Sequence, residues 1–112
     1  MGIAIAIPFE IKIPGLRHSI SHICNNSWVK AKKKLQHNEY YTGVKSLFHS
    51  LRINMFGIQL ANTGKITDWQ CANYIWENII SKTWTWNELD NYYRLERNSL
   101  LTNFRKIATK LT

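Results

Sequence analysis

The feature that most constrains this chain is a change of hydrophobic period at Pro14-Gly15. Before that point, large apolar side chains occupy every odd position of residues 3–13, which is the period of a β-strand with one buried face. After it, apolar residues recur every three or four positions, as in amphipathic α-helices. The sequence therefore predicts a strand and turn segment at 1–15 and a helical domain at 16–112.

The second of four predicted helices has the clearest apolar face and extends from about Glu39 to Ala61. The members of this face repeat at i, i+4, i+7 and i+8 and are Tyr40, Val44, Leu47, Phe48, Leu51, Met55 and Ile58. Gly64 follows, and it suits the left-handed position that commonly ends a helix. A helix with one such face must bury it against other elements.

The other three helices are predicted over about residues 16–37, 67–81 and 85–111. Thr67 is a suitable N-cap for the third helix, and Thr85 with Glu88 matches the capping box that begins the fourth. Four amphipathic helices joined by short links favour a mainly α protein, an antiparallel four-helix bundle.

The N-terminal strand stands apart from this scheme. Pro8 has no N–H to donate, so it belongs on an edge strand or at a break. The sequence contains no second strand, and a single strand is not stable alone. We expect an outside partner for it: a homodimer mate, another chain, or the sheet of a domain that this sequence does not contain.

The chain of 112 residues has a net charge of +8, from 15 basic and 7 acidic residues. Such a surplus favours an anionic partner, namely nucleic acid, a nucleotide phosphate or an acidic protein surface. The alternative is a solvated basic surface that maintains solubility. The N-terminal apolar run lacks the basic start of a signal peptide and is too short to span a membrane. We therefore expect a cytoplasmic protein with no membrane association.

The second helix carries the main candidate site. Lys45, His49 and Arg52 stand at i, i+4 and i+7 and share one stripe, which Tyr41 and Phe56 flank at compatible angles. Cations hold phosphate while aromatic rings stack on bases, so this pattern predicts binding of a nucleotide or nucleic acid. The simpler interpretation is a solvated flank of a core helix.

A lysine cluster near the end of the first helix extends the predicted positive surface. Lys30, Lys32, Lys33 and Lys34 give four cations in five residues. Lysines here also complement the helix dipole, which explains part of the cluster without a ligand. We expect Lys30, Lys32 and Lys33 to contact a phosphate backbone, since such contacts need charge and little geometry.

Two other patterns in the first helix are weaker. His18 and His22 are one turn apart but lack the further ligands of a zinc site, so no metal is expected. Arg17 and His22 have the R-x4-H spacing, which resembles the motif of HEPN-type ribonucleases. That resemblance implies an arginine that steadies the scissile phosphate and a histidine that moves protons. In that family the motif lies late in the bundle, whereas here it opens the first helix.

The acidic residues argue against metal-dependent catalysis. They are Glu10, Glu39, Asp68, Glu77, Glu88, Asp90 and Glu96. Two-metal phosphoryl transfer needs carboxylates placed close together, and no such pair is suggested by this set. A Gly-rich phosphate loop is also lacking in the sequence. We expect no cofactor and no independent enzymatic activity.

Segments over about residues 16–110 resemble the C-terminal helical half of nucleotidyltransferase-like proteins of viruses and microbes, in the DNA-polymerase-β-like superfamily. The segments that carry the resemblance are Ser27–Lys34, Lys45–Ile53, Phe56–Ala61, Gly64–Ile66 with Asp68, Ala72–Trp76, Trp86–Leu89 and Phe104–Lys106. The most specific of them is Lys45–Ile53, which contains the basic stripe.

The resemblance implies a helical domain that packs beside a catalytic palm and holds nucleotide or acceptor. The family's palm, with its Gly-Ser and paired acidic residues, precedes this region and is not in this sequence. The N-terminal strand would then be the tail of a palm sheet whose remainder is on another chain or has been lost. A ribonuclease dimer of the HEPN type, and a basic structural subunit of a ribonucleoprotein or viral assembly, remain as alternatives.

Overall fold

In the computed structural model, which describes residues 13–109, the chain is mainly helical. Its four helices are α1 (Ile13–Gln36), α2 (Tyr40–Thr63), α3 (Asn73–Ile80) and α4 (Trp86–Thr109). Among the described residues, the predicted mainly α class and its four helices are confirmed, and the helix packing is compatible with the predicted bundle. The predicted strand falls on residues that lie outside the described part of the chain, apart from its last position, Ile13.

Helix α1 begins earlier than its sequence pattern predicts. It starts at Ile13, so Pro14 and Gly15 lie in its first turn, and the predicted turn at these two residues is wrong. Proline is tolerated in a first turn because the N–H it lacks would have no partner within the helix. The change of period at Pro14 therefore marks the start of a helix and not a loop.

A tight turn joins α1 to α2. Asn38 adopts a left-handed conformation with φ of 63°, and the N–H of Glu39 donates to the carbonyl of Lys34 at 2.8 Å. This is the Schellman arrangement, in which a left-handed residue lets the chain reverse and satisfies a terminal carbonyl. The side chains of Lys34 and Glu39 also form an ion pair of 3.0 Å across the turn. At the other end of α2, Gly64 has φ of 76°, which confirms the predicted left-handed cap.

Helix α2 lies at the centre of the fold and is buried on more than one side. Leu47 and Leu51 belong to one apolar cluster, shared with α3 and α4. Phe56 belongs to a second cluster with residues of α1 and α4. Because α2 has neighbours on both sides, its apolar surface is wider than the single stripe read from the sequence.

Helix α3 is shorter than predicted. It begins at Asn73 with Ala72 at the N-cap, so the prediction of Thr67 as its N-cap is wrong. The cause is a competing interaction from α2. Oε1 of Gln59 accepts the backbone N–H groups of Thr67 and Asp68 at 3.0 and 2.9 Å, and Nε2 of Gln59 donates to the carbonyl of Asp68 at 2.8 Å. A helix that began at Thr67 would use this carbonyl for its own ladder, and residues 64–72 form a loop and turn instead.

The predicted capping box of α4 is confirmed. The N–H of Thr85 donates to Oε1 of Glu88 at 2.9 Å, and the N–H of Glu88 donates to Oγ1 of Thr85 at 3.2 Å. Two N–H groups that the helix itself cannot satisfy are paired in this way.

Candidate functional site

An open groove with a volume of about 870 Å³ runs along one side of α2. Its walls come from α1, α2, the loop after α2, and α3. The lining residues are Ser27, Lys30, Tyr41, Thr42, Lys45, Ser46, Phe48, His49, Arg52, Trp69, Gln70, Asn73 and Trp76. The groove is therefore built by four segments that are distant in sequence.

Five residues proposed from the sequence as ligand contacts meet in this groove. Tyr41, Lys45, His49 and Arg52 come from α2, and Lys30 reaches it from α1. The helical spacing brings the α2 residues to one face, while the tight turn at Asn38 brings α1 alongside. Lys30 of the α1 lysine cluster and the basic stripe of α2, which are separate in sequence, thus line the same groove.

Among the described residues, the groove carries only positive charge. Its described lining includes three permanent cations and one histidine, with no carboxylate. Three ion pairs of the described residues, which join Lys34 to Glu39, Lys82 to Glu88 and Arg94 to Asp90, lie outside the groove. Cations that no neighbouring acid neutralises attract an anion.

Arg52 is the most enclosed cation of the groove. Its guanidinium carbon lies 4.9 Å from the ring centroid of Phe48 and 5.8 Å from that of Phe56, one turn before and one turn after it. Burial lowers the pKa of the Arg52 guanidinium, although the group stays charged at neutral pH. Its Nε is buried and has no hydrogen-bond partner among the described residues. An anion in the groove would offset this desolvation.

His49 lies between the cations of the groove. Burial, followed by the charges of Arg52 and Lys30, lowers the pKa of His49 below its ordinary value. The imidazole is therefore neutral near pH 7 and can donate one hydrogen bond. Protonation becomes easier once an anion sits beside it.

The two proposed stacking residues have different surroundings. Tyr41 is 64% exposed, and Nζ of Lys45 lies 5.1 Å from its ring centroid. Phe56 is only 1% exposed, so its ring is not available to a ligand and the prediction of stacking by Phe56 does not fit the structure. The ring of Phe56 is covered by Trp69 and by the apolar cluster that it shares with α1 and α4, and the stripe alone did not show this cover.

Trp69 occupies the place at the groove that Phe56 was expected to fill. Its ring is 46% exposed and packs edge-on against Phe56, with the centroids 5.3 Å apart. Trp69 falls within the third helix that the sequence predicts over about residues 67–81. Its polar neighbours, Asp68 and Gln70, do not distinguish it, because an amphipathic helix also has polar residues beside an apolar one.

Gln70, Asn73 and Trp76 were also missed. They line the same groove as Lys45, and two of them carry amides that both donate and accept hydrogen bonds. No periodic pattern marks these residues, because their place at the groove depends on where the loop after α2 ends.

Four other residues proposed from the sequence do not line the groove. Lys32 and Lys33 are exposed on α1. Arg17 and His22 are also exposed, and five positions on an α-helix set their side chains about 140° apart around the axis. Nε2 of His22 lies 3.0 Å from Nδ2 of Asn26. The structure therefore does not bring Arg17 and His22 together within one chain.

Within residues 13–109, no three His, Cys, Asp or Glu side chains gather closely enough to hold a metal ion. No helix in this range has both the length and the apolar character to cross a membrane. Comparisons with protein-family models, curated proteins and solved structures give no match. The chemistry of the groove itself is therefore the basis for a function.

Proposed function

We propose that this protein binds a nucleotide or nucleic acid in the α2 groove, with its phosphates held by Lys30, Lys45 and Arg52. The observation that carries the proposal is a groove whose described lining contains three cations and no carboxylate. The protein has a net charge of +8, so an anion is attracted by the protein as a whole and, in addition, by the cations of the groove. His49 and the hydroxyl of Thr42 add donors suited to phosphate oxygens.

The aromatic rings support a ligand that has bases as well as phosphates. A simple anion would need only the cations, but Tyr41 and Trp69 also expose large rings at this groove. Exposed aromatic faces near cations suit the combination of stacking and phosphate contact. This combination favours a nucleotide over an acidic protein surface.

The proposed role is binding without catalysis. Phosphoryl transfer through metal ions would require carboxylate ligands, and the residues described at the groove supply none. The resemblance to the helical half of nucleotidyltransferase-like proteins agrees with this role, because that half holds substrate for a separate palm. We further propose that the helices form an antiparallel bundle and that the N-terminal segment adds a strand to a partner's sheet.

The experiment is fluorescence anisotropy with a labelled RNA of eight nucleotides. The variant Lys45→Gln/Arg52→Gln removes two groove cations and leaves a shorter, uncharged polar side chain at each position. The matched control, Arg94→Gln/Lys106→Gln, removes the same charges from α4, which lines no part of the groove. We expect about a tenfold or larger loss of affinity in the groove variant, since one tenfold step needs only about 1.4 kcal/mol. Equal losses in both variants, or no binding by the native protein, would overturn the proposal.

A further inference from the structure

The two most exposed rings of the groove lie near its opposite ends. Tyr41 stands in the first turn of α2, and Trp69 packs against Phe56 towards the other end of that helix. Tyr41 and Phe56 are 15 residues apart, which corresponds to about 22 Å along the helix axis. Two cations and a histidine lie between these ends, namely Lys45, Arg52 and His49. An aromatic ring therefore stands near each end of this row.

Trp69 is held in place before any ligand arrives. Its ring packs against Phe56 in a T-shaped arrangement, while the backbone of the preceding residues is bonded to the side chain of Gln59. Asp68 also accepts the N–H of Gln70 through Oδ1 at 3.0 Å, which fixes the chain on the other side of Trp69. A ring that is fixed by packing on one side and open on the other loses little entropy when a base stacks on it.

The helix rise of about 22 Å between Tyr41 and Phe56 exceeds what one nucleotide can bridge. The Trp69 ring lies close to the far end of this rise, since its centroid is 5.3 Å from that of Phe56. Successive nucleotides of a stacked strand rise by about 3.4 Å, so about 22 Å corresponds to roughly six of them. A mononucleotide could use one ring and one or two cations, and it would leave the rest of the groove empty. A duplex has the phosphates but keeps its base faces inside the stack, out of reach of both rings.

We infer that the groove binds a single-stranded stretch of several nucleotides, with phosphates along Lys45–Arg52 and bases stacked on Tyr41 and Trp69. The inference rests on the proposed function and narrows it to single-stranded nucleic acid. RNA and DNA share the required chemistry, since both have a phosphate backbone and flat bases. Gln70 and Asn73 line the same wall and offer amides to a base edge next to Trp69.

The test measures affinity as a function of ligand length. The probes are uridine monophosphate, uridine oligomers of two, four, six and eight nucleotides, the matching thymidine oligomers, and a duplex of eight base pairs. We expect affinity to rise steeply up to about six nucleotides and then level off. Binding of either the RNA or the DNA oligomers supports the inference, and the comparison shows which sugar is preferred.

A second measurement examines the ring contact directly. Trp69→Leu keeps an apolar side chain against Phe56 but removes the stacking surface, and we expect the octamer to bind about 5- to 150-fold more weakly. The control is Tyr92→Ala, which removes a ring that is 59% exposed on α4, outside the groove. The octamer should also quench tryptophan fluorescence in the native protein and lose most of this effect in the Trp69→Leu variant.

The outcomes separate the inference from the function on which it rests. Equal affinity for the monophosphate and the octamer would overturn the inference and leave a phosphate-binding groove. Tighter binding of the duplex than of either single strand would also overturn it. Failure of every nucleotide probe to bind would overturn both.

Discussion

Gln59 and Asp68 exchange two hydrogen bonds between a helix side chain and a loop backbone. Oε1 of Gln59 accepts the N–H of Asp68 at 2.9 Å, and Nε2 of Gln59 donates to the carbonyl of Asp68 at 2.8 Å. Oε1 also accepts the N–H of Thr67 at 3.0 Å. One amide on α2 thus fixes the loop that carries Trp69 to the groove.

We predict that Gln59→Leu lowers the free energy of unfolding by about 1–3 kcal/mol, because two backbone N–H groups lose their partner. The sharper measurement is amide hydrogen exchange, which should accelerate at Thr67 and Asp68. Asn62→Ala, an exposed substitution near the end of α2, is the control. Unchanged exchange at both amides would show that another interaction holds the loop.

The same amide explains why part of the site could not be predicted. The periodicity of α2 identified Lys45, His49 and Arg52 on one face because a helix fixes such angles by itself. The position of Trp69 depends on a bond between residues nine positions apart, and a single sequence contains no signal for it. A good N-cap such as Thr67 therefore suggested a helix where the structure has a loop.

The burial of Phe56 has a different reason. A stripe defines angles around one helix, but it does not say which neighbours cover each angle. Phe56 faces α1 and α4, whose placement follows from the packing of the whole fold. The four helices, the cap at Gly64 and the capping box at Thr85 were predictable because each depends on residues a few positions apart.

His49 is expected to make folding stability depend on pH. Its pKa is lowered in the folded protein by burial and by Arg52 and Lys30, from an ordinary value of 6.5. As pH falls through 6.5, the unfolded chain takes up a proton before the folded chain does, so acidification destabilises the free protein. The stability that the folded protein gains from a neutral His49 is fully present above pH 6.5. The check is the difference in unfolding free energy between the native protein and His49→Gln, measured from about pH 7.5 to 5.5.

The effect of pH on ligand affinity should have the opposite sense. A phosphate beside His49 favours the imidazolium, so binding takes up a proton and tightens as pH falls. Titration calorimetry in two buffers with different ionisation enthalpies measures this uptake. His49→Gln, which keeps the other histidines, should abolish it, and an unchanged uptake in that variant would contradict the placement of His49 at the ligand.

Gly57 is expected to be required for close packing of three helices. A Cβ at this position would lie 2.8 Å from Cγ2 of Ile20 on α1 and 3.1 Å from the ring of Phe104 on α4, and both neighbours are buried. We predict that Gly57→Ala lowers the free energy of unfolding by about 1–3 kcal/mol through overpacking. Gly15→Ala is the matched control, since no atom lies within 4 Å of its added Cβ. Alanine there should be neutral or stabilise by up to about 1 kcal/mol. A stabilising Gly57→Ala in urea denaturation would contradict this packing.

The capping box gives a prediction about α4 alone. Thr85→Val removes the oxygen that accepts the N–H of Glu88, and we expect a loss of about 1 kcal/mol in the free energy of unfolding. Thr83→Val, two residues earlier and outside the helix, should have a smaller effect. Thermal denaturation of both variants measures the difference, and equal melting temperatures would argue against a capping role.

The salt dependence of binding tests the central claim most directly. Each phosphate contact with a single strand contributes about 0.7 to the slope of log affinity against log salt concentration. Between about 50 and 200 mM salt, the magnitude of this slope should be about 1.4 smaller for the Lys45→Gln/Arg52→Gln variant than for the native protein. The Arg94→Gln/Lys106→Gln variant should have the same slope as the native protein. A slope that both variants reduce equally would show that the overall charge of the protein, and not the α2 groove, attracts the nucleic acid.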